Sequence, residues 1–143
     1  MPPAVLASRK AEADVLLSFA MACATIQHRA GRLFYFEHPQ TASSWGEPAV
    51  VSVRGLPGVF PVDVHQCRFG LKSPRGEPIR KATRLLTNSH EIYARVARKL
   101  CVCQVPHRRI EGNQDGHRLS VWAQRYPIDM CKALAEAAVA EAA

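Results

Sequence analysis

The sequence predicts an α/β domain in which apolar strands alternate with helices. The apolar positions of residues 14–28 recur at helical spacing, the nearly uninterrupted run Leu33-Phe34-Tyr35-Phe36 follows directly, and strand and helix signals alternate again between residues 59 and 100. With 143 residues, 48% of them hydrophobic, the chain suffices for one core and is short for two.

The first helix is expected from Asp14 to His28, with Val15, Phe19, Ala22 and Ile26 on one face, Asp14 as N-cap and Gly31 as terminator. Leu33 to Phe36 fits a strand buried on both faces by helices, ending against Glu37-His38-Pro39 and a polar loop. Ala49 to Val53 fits a short helix or a short strand equally. Val59 to His65 reads as a second strand, with Pro61 assigning its first half to an edge position. Residues 79–89, IRKATRLLTNS, read as a third strand that ends in the helix-start pair Asn88-Ser89. The helix from Glu91 to Leu100 then carries Ile92, Val96 and Leu100 on one face. CVCQVPHRRIEGNQDGHR reads as a long polar loop, and Pro127 opens a closing alanine-rich helix. The expected organisation is a tail over residues 1–13, a domain over 14–135 and a fraying helical end over 136–143.

No apolar run approaches the roughly 20 residues that a bilayer span needs, so no membrane partner is expected. The first residues have charge and apolarity in the wrong order for a secretory signal. The five cysteines are odd in number and lie in apolar or basic surroundings, which suits a reducing compartment, nuclear or cytoplasmic. The net charge of +7 resides between Arg80 and Arg125, where ten Lys/Arg face three acids. Such a one-sided segment suits a phosphate-backbone partner, and equally an ordinary solvated basic surface.

Three constellations could carry chemistry. Glu37-His38-Pro39 at a strand end sets a carboxylate where it could hold a hydrogen-bond-donating ring nitrogen; the same letters describe a solvated strand terminus. Cys67, Cys101, Cys103, His107 and His117 form a set of thiolate and imidazole ligands for zinc, of which Cys103-x3-His107 can supply two, and buried structural thiols are the alternative. Cys101 and Cys103 alternate along an expected extended segment, so at most one of them should join His107. Arg80, Lys81, Thr83 and Arg84, with Asn88 beside a helix start, offer donors to phosphate or base edges; caps and a solvated strand edge explain the same residues. GxGxxG, P-loop, GxSxG and HExxH motifs are absent, which removes the main support for dehydrogenase and hydrolase readings.

Taken in order, GRLFYFEHPQTASSW, QCRFGL, RKATRLLTNS, Cys103-x3-His107, Ile110-Glu111-Gly112, AQRYP and Met130-Cys131 resemble the C-terminal half of a cytosine-C5 DNA methyltransferase-like family of phage and eukaryotic retroelement-type polyproteins. The resemblance spans about residues 14 to 132. It implies a partial Rossmann-like methyltransferase sheet with flanking helices. By the same match Glu37 is the acid that contacts the flipped cytosine, with His38, Arg80, Lys81 and Thr83 on the substrate side, to which the reading of the helix start adds Asn88. Cys67, Cys103 and His107 match a metal or structural cluster. Ala82 replaces the family's proline, and Arg109 stands where a second histidine often completes the cluster.

None of the five cysteines follows a proline, and no glycine precedes the first helix, so the attacking thiol and the S-adenosylmethionine loop are both missing. The expectation is a methyltransferase-like fragment, inactive alone, that binds nucleic acid, DNA ahead of RNA. A partner chain that completes the domain would also supply S-adenosylmethionine binding. The alternatives are a small basic zinc-binding module and a structural subunit of a larger assembly.

Overall fold

In the computed structural model, which describes residues 1–143, α1 (Pro3–Arg29) is followed by β1 (Tyr35–Pro39), a 3-10 turn (Ser43–Gly46), α2 (Pro48–Arg54) and β2 (Phe60–His65). A second 3-10 turn (Gln66–Phe69) and an irregular stretch precede β3 (Ala82–Thr87) and α3 (His90–Val96). The chain closes with the short strands β4 (Asn113–Gln114) and β5 (His117–Arg118), the single turn α4 (Leu119–Trp122) and α5 (Ile128–Ala142).

The main sheet has the order β1-β3-β2, and β3 is antiparallel to both neighbours. Side chains alternate across a strand, so Leu85 and Leu86, both fully buried, serve different cores. Leu85 packs with Val62 and Val64 of β2, Ile92 and Val96 of α3, and Met130 and Leu134 of α5. Leu86 packs with Met21 and Ala24 of α1, Val50 and Val53 of α2, and Trp45. Two helical layers thus sandwich the sheet. Truncating either leucine to alanine costs about 2–5 kcal/mol on general grounds.

The mixed α/β class expected from the sequence is present, with purely antiparallel ladders in the main sheet. Several finer expectations are corrected. β1 continues through Glu37, His38 and Pro39 and lies at the sheet edge, with Tyr35 exposed. Phe34 and Phe36 pack on one face only, because a strand with a single neighbour is not enclosed as β3 is. α1 begins at Pro3 instead of Asp14, so residues 3–13 are helical; proline is tolerated in a first turn. α3 stops at Val96 because Ala97 turns to ψ 143° and Arg98 adopts a φ of 65°, which leaves Leu100 outside the helix and exposed.

Ser89 caps α3, its hydroxyl accepting from the Ile92 N–H at 3.0 Å. Residues 136–142, expected to be helical, continue α5, and Glu141 accepts from the N–H groups of His90 (3.1 Å) and Glu91 (3.2 Å) and from the Ser89 hydroxyl. A carboxylate there satisfies donors that a helix start leaves free and suits its dipole. No helix is long and apolar enough to cross a membrane.

Candidate metal centre and adjoining basic cleft

β2 runs straight into the turn that carries Cys67, while Cys101, Cys103 and His107 come from the irregular segment after α3. Their ligand atoms, three Sγ and one imidazole nitrogen, all lie within 4.8 Å of one another, and all four residues are half-buried. A tetrahedral ion with bonds of about 2.0–2.3 Å needs ligands spaced at about 3.5 Å, so a small inward adjustment closes the set. The four residues can hold a metal ion.

Cys101 Sγ lies 3.2 Å from His107 Nε2 and accepts the Cys103 N–H at 3.4 Å. Its inclusion corrects the expectation that Cys101 and Cys103 point apart. Residues 101–103 form no strand, so the alternation of side chains that governs strands does not apply. Burial pushes the Cys67 thiol up to about 12, with the neighbouring sulfurs adding to the effect. Cys101 is shifted the other way, chiefly by the Cys103 N–H that its sulfur accepts.

The segment is tied down outside the cluster as well. The Cys101 N–H donates to His65 Nδ1 at 3.0 Å, and the His65 N–H donates to the Lys99 carbonyl at 2.9 Å. Burial lowers the His65 pKa, and Arg80 adds to the shift, which favours the neutral ring that can accept the Cys101 N–H. The Arg108 N–H donates to the Pro78 carbonyl at 2.8 Å. These bonds bring Arg108 and Arg109 across from Arg80 and Lys81, lining a cleft of about 520 Å³ with Thr41, His107 and one acid, Glu111. The buried Nε of Arg108 has no hydrogen-bond partner. His107 belongs to both features, so the ligand cluster forms part of the cleft wall.

The remaining sequence-derived site residues divide between locations. Glu37 faces the α5 side of the sheet, where its carboxylate accepts the Tyr126 hydroxyl. Lys81 lies close enough for Glu37 to favour its charged form, although burial dominates and lowers its pKa. The Lys81 ammonium donates to the Ala123 carbonyl at 2.6 Å and sits 5.1 Å from the centre of the Tyr126 ring. The Tyr126 hydroxyl is pushed well above its usual range, by burial first and then by Glu37.

His38, one residue further along β1, lies on the opposite face, with Nδ1 2.7 Å from Ser44 Oγ and its ring against Phe36. Thr83 is buried and linked to Gln66 at 3.0 Å. Asn88 sits past the far end of β3, where its side chain accepts from the Phe34 N–H and donates to the Arg32 carbonyl. Arg80, Lys81 and Glu37 therefore share one region, which Thr83 adjoins through a hydrogen bond from its hydroxyl to the Lys81 carbonyl at 3.1 Å; His38 and Asn88 do not join it. Tyr126 and Arg108 are additions that local spacing did not reveal, and Cys101 joins the cluster together with Cys103.

Searches against protein-family models, curated proteins and solved structures return no match.

Proposed function

We propose that this chain is a metal-organised nucleic-acid-binding domain of a reducing compartment, nuclear or cytoplasmic. Zinc is the ion best suited to three thiolates and one imidazole, and closed four-ligand sites of this kind stabilise folds. A bound ion fixes the loop that carries Arg108 and Arg109. The carrying observation is that the ligand cluster shares His107 with a cleft lined by Arg80, Lys81, Arg108 and Arg109 against a single acid. Such a cleft attracts a phosphate backbone, and its affinity falls with salt as condensed counterions are released. DNA is the first partner to try, RNA the second.

The test combines metal analysis of the purified protein with binding to a labelled DNA duplex across a salt series. The expected result is one zinc per chain, with affinity at least about tenfold lower after chelation. Replacing Arg108 or Arg109 by alanine should flatten the salt slope by about one per lost phosphate contact. Metal-free protein that binds as tightly as the zinc form would sink the reading.

A second reading, the substrate-side half of a methyltransferase-like domain, is favoured by Glu37 beside Lys81 and Tyr126. β1 and β2 both oppose β3 and so run parallel to each other, with the outer edge of β1 unpaired in the main sheet. Many doubly wound sheets combine parallel strands with an antiparallel one, and a partial Rossmann-like sheet would continue from β1. On this reading the chain alone does not transfer a methyl group. A separately made N-terminal half with a Ser-Pro-Pro-Cys segment and an S-adenosylmethionine loop should bind it and confer transfer to cytosine. Absence of any complex counts against it.

A further inference from the structure

We infer that the basic cleft extends into a base-stacking site on Trp122 and His117, and that the preferred ligand is a single-stranded nucleic acid. The inference rests on the nucleic-acid reading above and names the form of its partner. β4 and β5 make a tight hairpin through Asp115 and Gly116, whose φ values of 50° and 79° are the positive pair that a type I′ turn requires. The hairpin delivers His117 and Arg118 directly to α4, so that the His117 and Trp122 rings lie 4.8 Å apart, tilted by 55°. The Trp122 Nε1–H is held by the Lys72 carbonyl at 2.8 Å, which fixes the indole while leaving it only half-buried.

Around these rings is a concavity of about 310 Å³ lined by Gly116, His117, Arg118, Val121, Trp122 and Arg125. It contains no carboxylate. The hairpin's own acid, Asp115, is engaged by Arg75, with Nη2 to Oδ1 at 2.7 Å and Nε to Oδ2 at 3.0 Å. Neither Arg118 nor Arg125 has a salt-bridge partner. Two exposed guanidinium groups beside an anchored indole and an imidazole suit phosphates with an unpaired base between them. A base within a duplex has both faces covered by its neighbours and cannot offer one to the indole.

The site is physically joined to the cleft. Lys81, which lines the cleft, donates to the carbonyl of Ala123, the residue after Trp122. The Leu119 N–H donates to the Gly112 carbonyl at 3.0 Å, so the segment carrying Arg108 and Arg109 leads through the hairpin into α4. The cleft and the aromatic pair are thus linked through Lys81 and through the segment that runs from Arg109 to α4.

The experiment uses the zinc-loaded full chain with labelled oligothymidylate, oligouridylate and a DNA duplex of matched length. Trp45 is buried, so quenching of tryptophan emission on binding reports chiefly on Trp122. Expected are quenching by both single strands, tighter single-strand than duplex binding, and about a tenfold loss of single-strand affinity in Trp122→Ala with recovery in Trp122→Phe. His117→Ala and Arg118→Ala, at exposed hairpin positions, should weaken single-strand binding while zinc content stays unchanged. Duplex binding with no tryptophan quenching, or equal losses for duplex and single strand in these variants, overturns the stacking site and leaves the metal-organised function standing. Failure to bind any of the three probes overturns both.

Discussion

The sulfur of Cys101 sits 3.2 Å from Nε2 of His107 and also accepts the N–H of Cys103, drawing three candidate ligands into one short segment. Cys101, Cys103 and Cys67 should therefore behave alike. Replacing any of them by serine is expected to weaken zinc binding by at least about tenfold in competition with a chromophoric chelator, since a hydroxyl is a poor substitute for thiolate. The exposed Cys23 and Cys131 should tolerate the same change with full zinc content.

Asp63 and Arg84 form a two-pronged pair at 2.7 and 3.0 Å between β2 and β3, and the guanidinium also lies over the Trp45 ring. The hydrogen bond from Arg84 holds the Asp63 carboxyl below its ordinary value. Its stabilisation is fully present above the unfolded pKa of about 4 and is lost as pH falls through the lower folded value. Both side chains keep roughly a quarter to a third of their exposure, so Asp63→Asn is expected to cost about 1 kcal/mol at neutral pH. Urea unfolding of both proteins from pH 7 down to pH 3 should show that difference shrinking.

Tyr126 gives an alkaline counterpart. Its hydroxyl is held protonated by burial and by Glu37, so its folded pKa is raised. The associated stability is intact below the ordinary tyrosine value of about 10 and disappears as pH climbs through the folded one. Tyr126→Phe should cost about 1 kcal/mol near neutrality, allowing for the exposure of the ring. It should also flatten the decline in stability above about pH 10. Thermal melts across that range would refute the assignment if both proteins lost stability in parallel.

Glu141 closes the C-terminal helix onto the start of α3 through two backbone N–H groups and the Ser89 hydroxyl. Glu141→Gln keeps the shape and removes the charge that the helix start favours, so a loss of about 0.5–1 kcal/mol is expected. Ser89→Ala should cost about 1 kcal/mol as a lost cap. The two residues share partners, so the double variant should depart from additivity by at least about 0.5 kcal/mol in a denaturant-unfolding cycle.

The sequence carried the parts of this fold that local chemistry specifies. Ser89 before a Glu-led apolar pattern marked the start of α3, and the apolar runs marked the strands. The partners of those strands were not legible, because an aromatic run such as Phe34 to Phe36 suits an edge strand under one helical layer as well as a central one. Asp14, suited to an N-cap by its residue type, disguised the start of α1 at Pro3, although proline suits a first helical turn. The Asp115-Gly116 pair was a readable hairpin signal hidden in a polar stretch. Tyr126 and Glu37, 89 residues apart, meet only because β1 and the segment before α5 adjoin in space, and no local spacing encodes that. Cys67, Cys101, Cys103 and His107 were visible as ligand types, whereas the joint use of Cys101 and Cys103 depended on the backbone path.

Lys81 occupies a backbone geometry, φ 34°, that suits glycine, immediately before β3 begins. A side chain held there costs on the order of 1 kcal/mol or more, and such strain persists only where the surroundings enforce it. Relieving it with glycine would relax the main chain and at the same stroke delete the ammonium that spans Ala123, Tyr126 and Glu37. Position 81 thus exchanges main-chain comfort for a tether: glycine, the residue that suits this backbone, has no side chain with which to hold the cleft to α4.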